Sequence, residues 1–328
     1  MNWNPSQRAR NLSLFRALAL FLLTICAFSG YSQKPPATTD QPGTTISVDV
    51  RQVVLHTSVR NNKGGIVSGL DKRNFRVDED GQLQVIRAFH PEDIPVAVGL
   101  VVDNSGSMTK KRSDVTAAAV AFARSSNQGD QMFIVNFNDT VNLGLPDTKL
   151  FSASVAELER VLLTPVPTGR TALYDAIIDG LAHIQRSGNE RKALVVFSDG
   201  GDNASEHTLN QVLQAVAQSG VTIYTIGLFD EEDPDRNPRV LRRIADASGG
   251  QAFLEGMSAG AVQICERIAK DIRTQYTISY SPSNQNFNGA YRTIKVSVRA
   301  DHGAKLQART RAGYIALPDV PAARDERQ

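Results

Sequence analysis

The stretch PVAVGLVVDNSGSM, Pro95 to Met108, decides the fold. Its first eight residues form an apolar run of the kind that makes a strand buried on both faces. The run stops abruptly at Asp103, and Ser105 and Ser107 follow at alternate positions. Asn104-Ser105-Gly106 is good turn material, and a serine can cap a following helix. The same three oxygen-bearing side chains are also what a hard cation needs.

Similar apolar runs lie downstream: QMFIVNF (131–137), KALVVFSD (192–199) and VTIYTIGL (221–228). Between them fall the helical stretches SDVTAAAVAFARSS, TALYDAIIDGLAHIQRS and TLNQVLQAVAQSG. SVAELERVLL and PRVLRRIADAS suggest two more helices, and a last one spans about Ala259–Arg273. Such alternation predicts an α/β class, a Rossmann-like, doubly wound and mainly parallel sheet covered by helices on both faces, over residues 93–273.

The flanks read as β structure. TISVDVRQVVLHTSVRN and FRVDEDGQLQVIRAFH precede the α/β region, with Asp80-Gly81 as a hairpin signal. QYTISYSP, YRTIKVSVRA and KLQARTRAGYIAL follow it, with a turn at Asp301-His302-Gly303. Neither flank is large enough to close a core alone. Residues 45–92 and 274–317 are therefore expected to pair into one β-sandwich, with the α/β domain inserted between them. Residues 318–328 read as a disordered tail.

At the N-terminus, Arg8, Arg10 and Arg16 precede the apolar run ALALFLLTICAFSG, which ends at Gly30, with no acid before Asp40. This is the pattern of a secretory signal over residues 1–32, followed by a Pro- and Thr-rich linker over 33–44. An uncleaved anchor is the alternative, although the run is short for a span of about 20 residues. Cys26 raises lipidation, but Ile25 stands where a small residue is expected. The expected location is secreted, periplasmic or cell-envelope, with no stable membrane span after cleavage. Cys265 would then be the lone cysteine, in an apolar helical phase suited to a buried small hydrophobe.

The formal net charge of +2 gives no global case for nucleic acid. The five histidines have no zinc spacing, and neither a Gly-rich phosphate loop nor a nucleophile elbow is present. Open α/β sheets bind ligands at the carboxyl ends of their strands. Three polar groups fall there: Asp103, Ser105 and Ser107 after the first strand; Thr171 in PTGRTALYDAI; and Asp199 ending KALVVFSD. Three neutral hydroxyls and two carboxylates suit a six-coordinate Mg²⁺ that remains electrophilic toward an outside carboxylate.

Here the chain resembles the von Willebrand factor type A (VWA) family. DNSGSM matches that family's Asp-x-Ser-x-Ser motif, and Thr171 and Asp199 fill its other two positions. The resemblance implies a metal-ion-dependent adhesion site (MIDAS). Ser105, Ser107 and Thr171 would be direct ligands, and Asp103 and Asp199 would often act through water. SGLDKRNFRVDEDG and YTISYSPSNQNFNGAYRTIKVSVR further resemble a secreted bacterial group of VWFA-related proteins.

Two functional classes and a variant of the first follow. One is a metal-dependent binding module, using Mg²⁺ (or Mn²⁺ or Ca²⁺), that recognises a protein or polymer through an acidic group. A scaffold with a mainly structural metal is its variant. The other is a Mg²⁺-dependent phosphohydrolase, disfavoured because Ser105 stands where such enzymes commonly carry a second Asp for proton transfer. The expectation is a non-enzyme. Arg170 is a candidate rim residue or ordinary surface charge, and Asp202 either supports the cation's ligands from behind or caps a loop. The acidic run Asp230–Asp235 reads as a solvated loop, with a second cation or a basic partner as the alternative.

Overall fold

Four strands open the folded unit: β1 (Val53–Asn61), β2 (Phe75–Glu79), β3 (Gln82–Gln84) and β4 (Ile86–His90). The computed structural model describes residues 51–91, 93–125, 127, 129–229, 236–254, 260–300 and 305–318. The signal, the linker, the Asp230–Asp235 run, the Asp301–Gly303 turn and all but the first residue of the tail lie outside them. The β2–β3 hairpin turns at Asp80-Gly81, both at positive φ (49° and 79°), the left-handed geometry that an Asp-Gly pair tolerates.

The central sheet follows. β5 (Val96–Asp103), β6 (Gln131–Phe137), β8 (Arg191–Ser198), β9 (Thr222–Gly227) and β10 (Ala252–Phe253) run parallel. The short β7 (Val141–Leu143) adds an antiparallel edge. Strand order is β10-β9-β8-β5-β6-β7, the crossed-over arrangement of a doubly wound sheet. β7 and β10 went unread in the sequence, being three and two residues long at the two edges.

Alternate residues of β5 feed two cores. Val96, Val98, Leu100 and Val102 pack on one face with α1 (Arg112–Arg124), α2 (Val155–Leu163) and α6 (Ala261–Arg273). Ala97 and Val101 pack on the other with α3 (Leu173–Ile184), α4 (Leu209–Ser219) and α5 (Pro238–Ser248). Cys265 sits in the first core, fully buried. Among the described residues, no helix is long and apolar enough to cross a membrane.

Gly99, in the middle of β5, leaves room for its neighbours. A Cβ there would lie 2.4 Å from Phe133 Cζ and 2.5 Å from Leu194 Cδ2. Gly99→Ala is therefore expected to overpack the second core and cost about 1–3 kcal/mol, read by urea denaturation. An unchanged midpoint would mean that both side chains give way freely.

The flanks interleave. β11 (Tyr276–Tyr280) lies between β1 and β4, and β13 (Leu306–Arg309) pairs with the other edge of β1. β12 (Tyr291–Val298) lies between β2 and β14 (Gly313–Ile315). Each four-stranded antiparallel sheet thus takes strands from both ends of the chain. Leu55, Val77, Ile278, Tyr280 and Ile294 share one apolar core between them. Inside it the buried Glu79 accepts hydrogen bonds from Tyr280 Oη (2.7 Å), Arg292 Nη1 (3.0 Å) and Tyr314 Oη (3.1 Å).

A second buried polar network joins these sheets to the α/β region. Asp271, on α6, accepts from Ser58 Oγ (2.9 Å), Arg60 Nη2 (3.0 Å) and Tyr224 Oη (2.8 Å). Arg191, at the start of β8, donates to the backbone oxygens of Ile272 and Gln275, each at 3.0 Å.

Candidate metal centre

The five sequence-selected residues converge on one small cleft at the carboxyl ends of β5 and β8. Three loops supply them. The β5 loop carries Asp103, Ser105 and Ser107; the segment before α3 carries Thr171; the end of β8 leads into Asp199. The cleft holds about 140 Å³ and is lined by Ser105, Ser107, Thr171 and Asp199 with Arg170 and Asn203 at its margin.

Backbone contacts lock the loops together. Gly106 N donates to Gly169 O at 3.1 Å, and Thr168 N to Asn104 O at 2.9 Å. Gly169 has φ of 78°, and a Cβ there would strike the Asp139 carboxylate at 1.7 Å, so this crossing requires glycine. Thr171 is held from the third loop: its N–H donates to Asn203 Oδ1 at 2.9 Å, and its carbonyl accepts from Asn203 N and Ala204 N. The helix starts at Leu173, so Thr171 precedes its N-cap, Ala172, rather than opening the helix as the sequence implied.

The donor atoms are already close. Ser105 Oγ and Ser107 Oγ are 3.2 Å apart, and Ser107 Oγ donates to Asp199 Oδ2 at 2.7 Å. Neighbouring oxygens of an octahedral Mg²⁺ shell, at about 2.0–2.1 Å from the ion, stand about 3 Å apart. These three oxygens, from Ser105, Ser107 and Asp199, therefore match the donor type and spacing of a hard-cation shell. Among the described residues no group of three or more His, Cys, Asp and Glu is placed to hold a metal ion, so this row depends on its hydroxyls.

Asp103 sits behind this row. It is 1% exposed, and its carboxylate accepts from Ser105 N (2.9 Å) and Ser198 Oγ (2.7 Å). It does not line the cleft directly. Burial pushes its pKa up to about 6, and the nearby Asp199 charge adds to the rise.

Other polar residues resolve into supports. Asp202 caps α3, accepting from Tyr174 N at 3.1 Å and from Ser205 Oγ at 2.6 Å, and burial raises its pKa. Arg170 pairs with Asp139 at 3.1 Å on the cleft margin. Ser198 and Asn203 were missed in the sequence. The one signal for them was the polar run FSDGGDN after an apolar strand, which marks the loop but not which residue anchors what.

With this geometry in place, the profile of the von Willebrand factor type A domain matches residues 98–264, half of the chain. The chain belongs to the VWA domain family. The profile covers the sheet from Val98 onward and all five candidate residues. Among solved structures, a von Willebrand factor type A protein from Catenulispora acidiphila is 14% identical, with 81% of this chain and 75% of that one covered and a TM-score of 0.49. Proximal thread matrix protein 1 of the mussel byssus, solved with zinc in its MIDAS motif, is 16% identical over 59% of this chain and 49% of that one, TM-score 0.49. The vWF domain of the type V pilus tip protein Mfa5 from Porphyromonas gingivalis is 16% identical over 55% and 97%, TM-score 0.42. No curated protein sequence matches the chain.

Proposed function

We propose that this VWA protein is an exported binding module whose divalent-cation site captures an acidic group of a protein or polymer partner. Ser105, Ser107 and Thr171 would hold the cation directly. Asp199 and the recessed Asp103 would supply the negative charge, Asp103 through water. Mg²⁺ is the proposed ion, with Mn²⁺ and Ca²⁺ as competitors. The bound cation would supply the positive charge on which a partner's carboxylate docks.

The observation that carries this reading is the row of Ser105, Ser107 and Asp199 oxygens spaced at 3.2 and 2.7 Å around an open cleft. Two features support binding over phosphoryl transfer. Both oxygens of Asp103 are engaged, by Ser105 N and Ser198 Oγ, which opposes a nucleophilic role. Ser105 is a poor proton donor where an acid would serve that chemistry.

Mg²⁺ titration by calorimetry is expected to give a saturable signal that Ser105→Ala weakens about tenfold or more. Equal heats from both proteins would remove the metal claim. In partner capture, retention in Mg²⁺ and loss in EDTA is expected. Capture that survives EDTA and Ser105→Ala would favour a scaffold acting through another surface.

A further inference from the structure

We infer that a second binding site, for a polymer carrying closely spaced phosphate or sulfate groups, lies in the groove between the α/β region and the flanking sheets. The groove has a volume of about 690 Å³. Its lining includes Arg60 at the end of β1, Lys63 just beyond, Arg267 of α6, Lys295 of β12 and Arg309 of β13. No acidic side chain lines it among the described residues. The chain as a whole is nearly balanced, with 36 basic and 34 acidic residues, so this concentration is local.

Strand register groups the charges. Arg60 pairs with Gln307 and Ser58 with Arg309, which makes Arg60 and Arg309 diagonal neighbours on one sheet face, about 7–8 Å apart. Neutralisation from behind is incomplete. Asp271 engages Arg60 at 3.0 Å and Asp246 engages Arg309 at 3.3 Å. Lys295 lies opposite Asp78, whose carboxylate Arg76 already binds through two nitrogens. Arg267 lies over the Phe253 ring at 5.3 Å, and Lys63 is exposed.

Surplus positive charge with no acid on the lining among the described residues fits oxyanion oxygens. One carboxylate would answer one cation and fill little of this space. A flexible run of phosphates or sulfates answers several, and guanidinium forks suit them geometrically. Arg60 engages Asp271 in the last turn of α6, where Arg191 at the start of β8 donates to Ile272 O, so this end of the groove lies toward the amino ends of the parallel strands, away from the cation cleft.

The test is fluorescence anisotropy of labelled polyphosphate and of labelled heparin with the full chain in EDTA, so that the cation cleft plays no part. One polymer at least is expected to bind, and the preferred one identifies the oxyanion. Reversing the charges of three exposed residues (Lys63→Glu, Arg267→Glu, Lys295→Glu) is expected to weaken binding about tenfold or more and flatten its salt dependence. Lys63→Glu alone, on an exposed turn, is expected to show a smaller loss in the same direction. Asp103→Ala should bind as the wild type does. Failure of both polymers to bind, binding unaffected by the reversals, or binding only to anionic lipid vesicles would overturn the inference.

Discussion

Asp271→Ala is expected to lower the unfolding free energy by about 3–5 kcal/mol, because it breaks a buried ion pair from one side. Asp271 is 2% exposed and accepts from Ser58, Arg60 and Tyr224 at 2.8–3.0 Å. Alanine would leave the Arg60 guanidinium without its acid and two hydroxyls short of an acceptor. The carboxylate also explains part of the raised pKa of Tyr224, after burial itself. Asp271→Asn keeps the shape and part of the bonding, so its loss should be smaller. Urea denaturation followed by circular dichroism reads both. A loss below about 1 kcal/mol for alanine would show that the pair is solvated in solution.

Asp103→Asn is expected to act in opposite directions on binding and on stability. Metal affinity should fall by at least about tenfold, since a site charge is gone. The metal-free protein should become more stable at neutral pH. The pKa of Asp103 is raised from 3.8 to about 6 by burial, so the folded state favours its protonated form. That stability is fully present below about pH 4 and is lost as pH rises through about 6. A shift of this size corresponds to about 3 kcal/mol, an upper bound for the gain, because asparagine reproduces the bonds to Ser105 and Ser198 incompletely. Denaturation in EDTA at pH 4 and pH 7 should show wild type and variant converging at the lower pH. A variant weaker at both pH values would show that the bonds to Ser105 and Ser198 outweigh the relief of the buried charge.

The candidate metal centre was legible because most of its parts are local. Asp103 and Asp199 end or follow apolar strands, and Ser105 and Ser107 lie in the turn just after Asp103, so strand periodicity places these four at one sheet edge; Thr171, between α2 and α3, is singled out by the resemblance to the VWA motif. The sandwich was legible as a shortage: two β flanks, each too small for its own core. What held those parts in place was not legible. Ser58 and Asp271 are 213 positions apart, and no local pattern links them. Ser198 and Asn203 look like any loop residues until Asp103 and Thr171 are seen against them. Asp202 shows the opposite case, where the plain reading as a cap is what the structure contains.

The interleaved flanks impose an order of events on folding. Thr57 of β1 pairs with Tyr276 of β11, roughly 220 residues later. A chain that emerges amino end first presents β1 well before that partner follows. The α/β region has its sheet pairings within itself and can form in that interval. The four leading strands, by contrast, wait with open edges and an uncovered apolar face, a state that invites pairing with the wrong chain. Closing so long a loop is also slow once the partner exists. The last step to the native state is therefore expected to be sealing of the two ends around an already folded centre, so that substitutions in β11 or β12 should act first on yield and refolding rate.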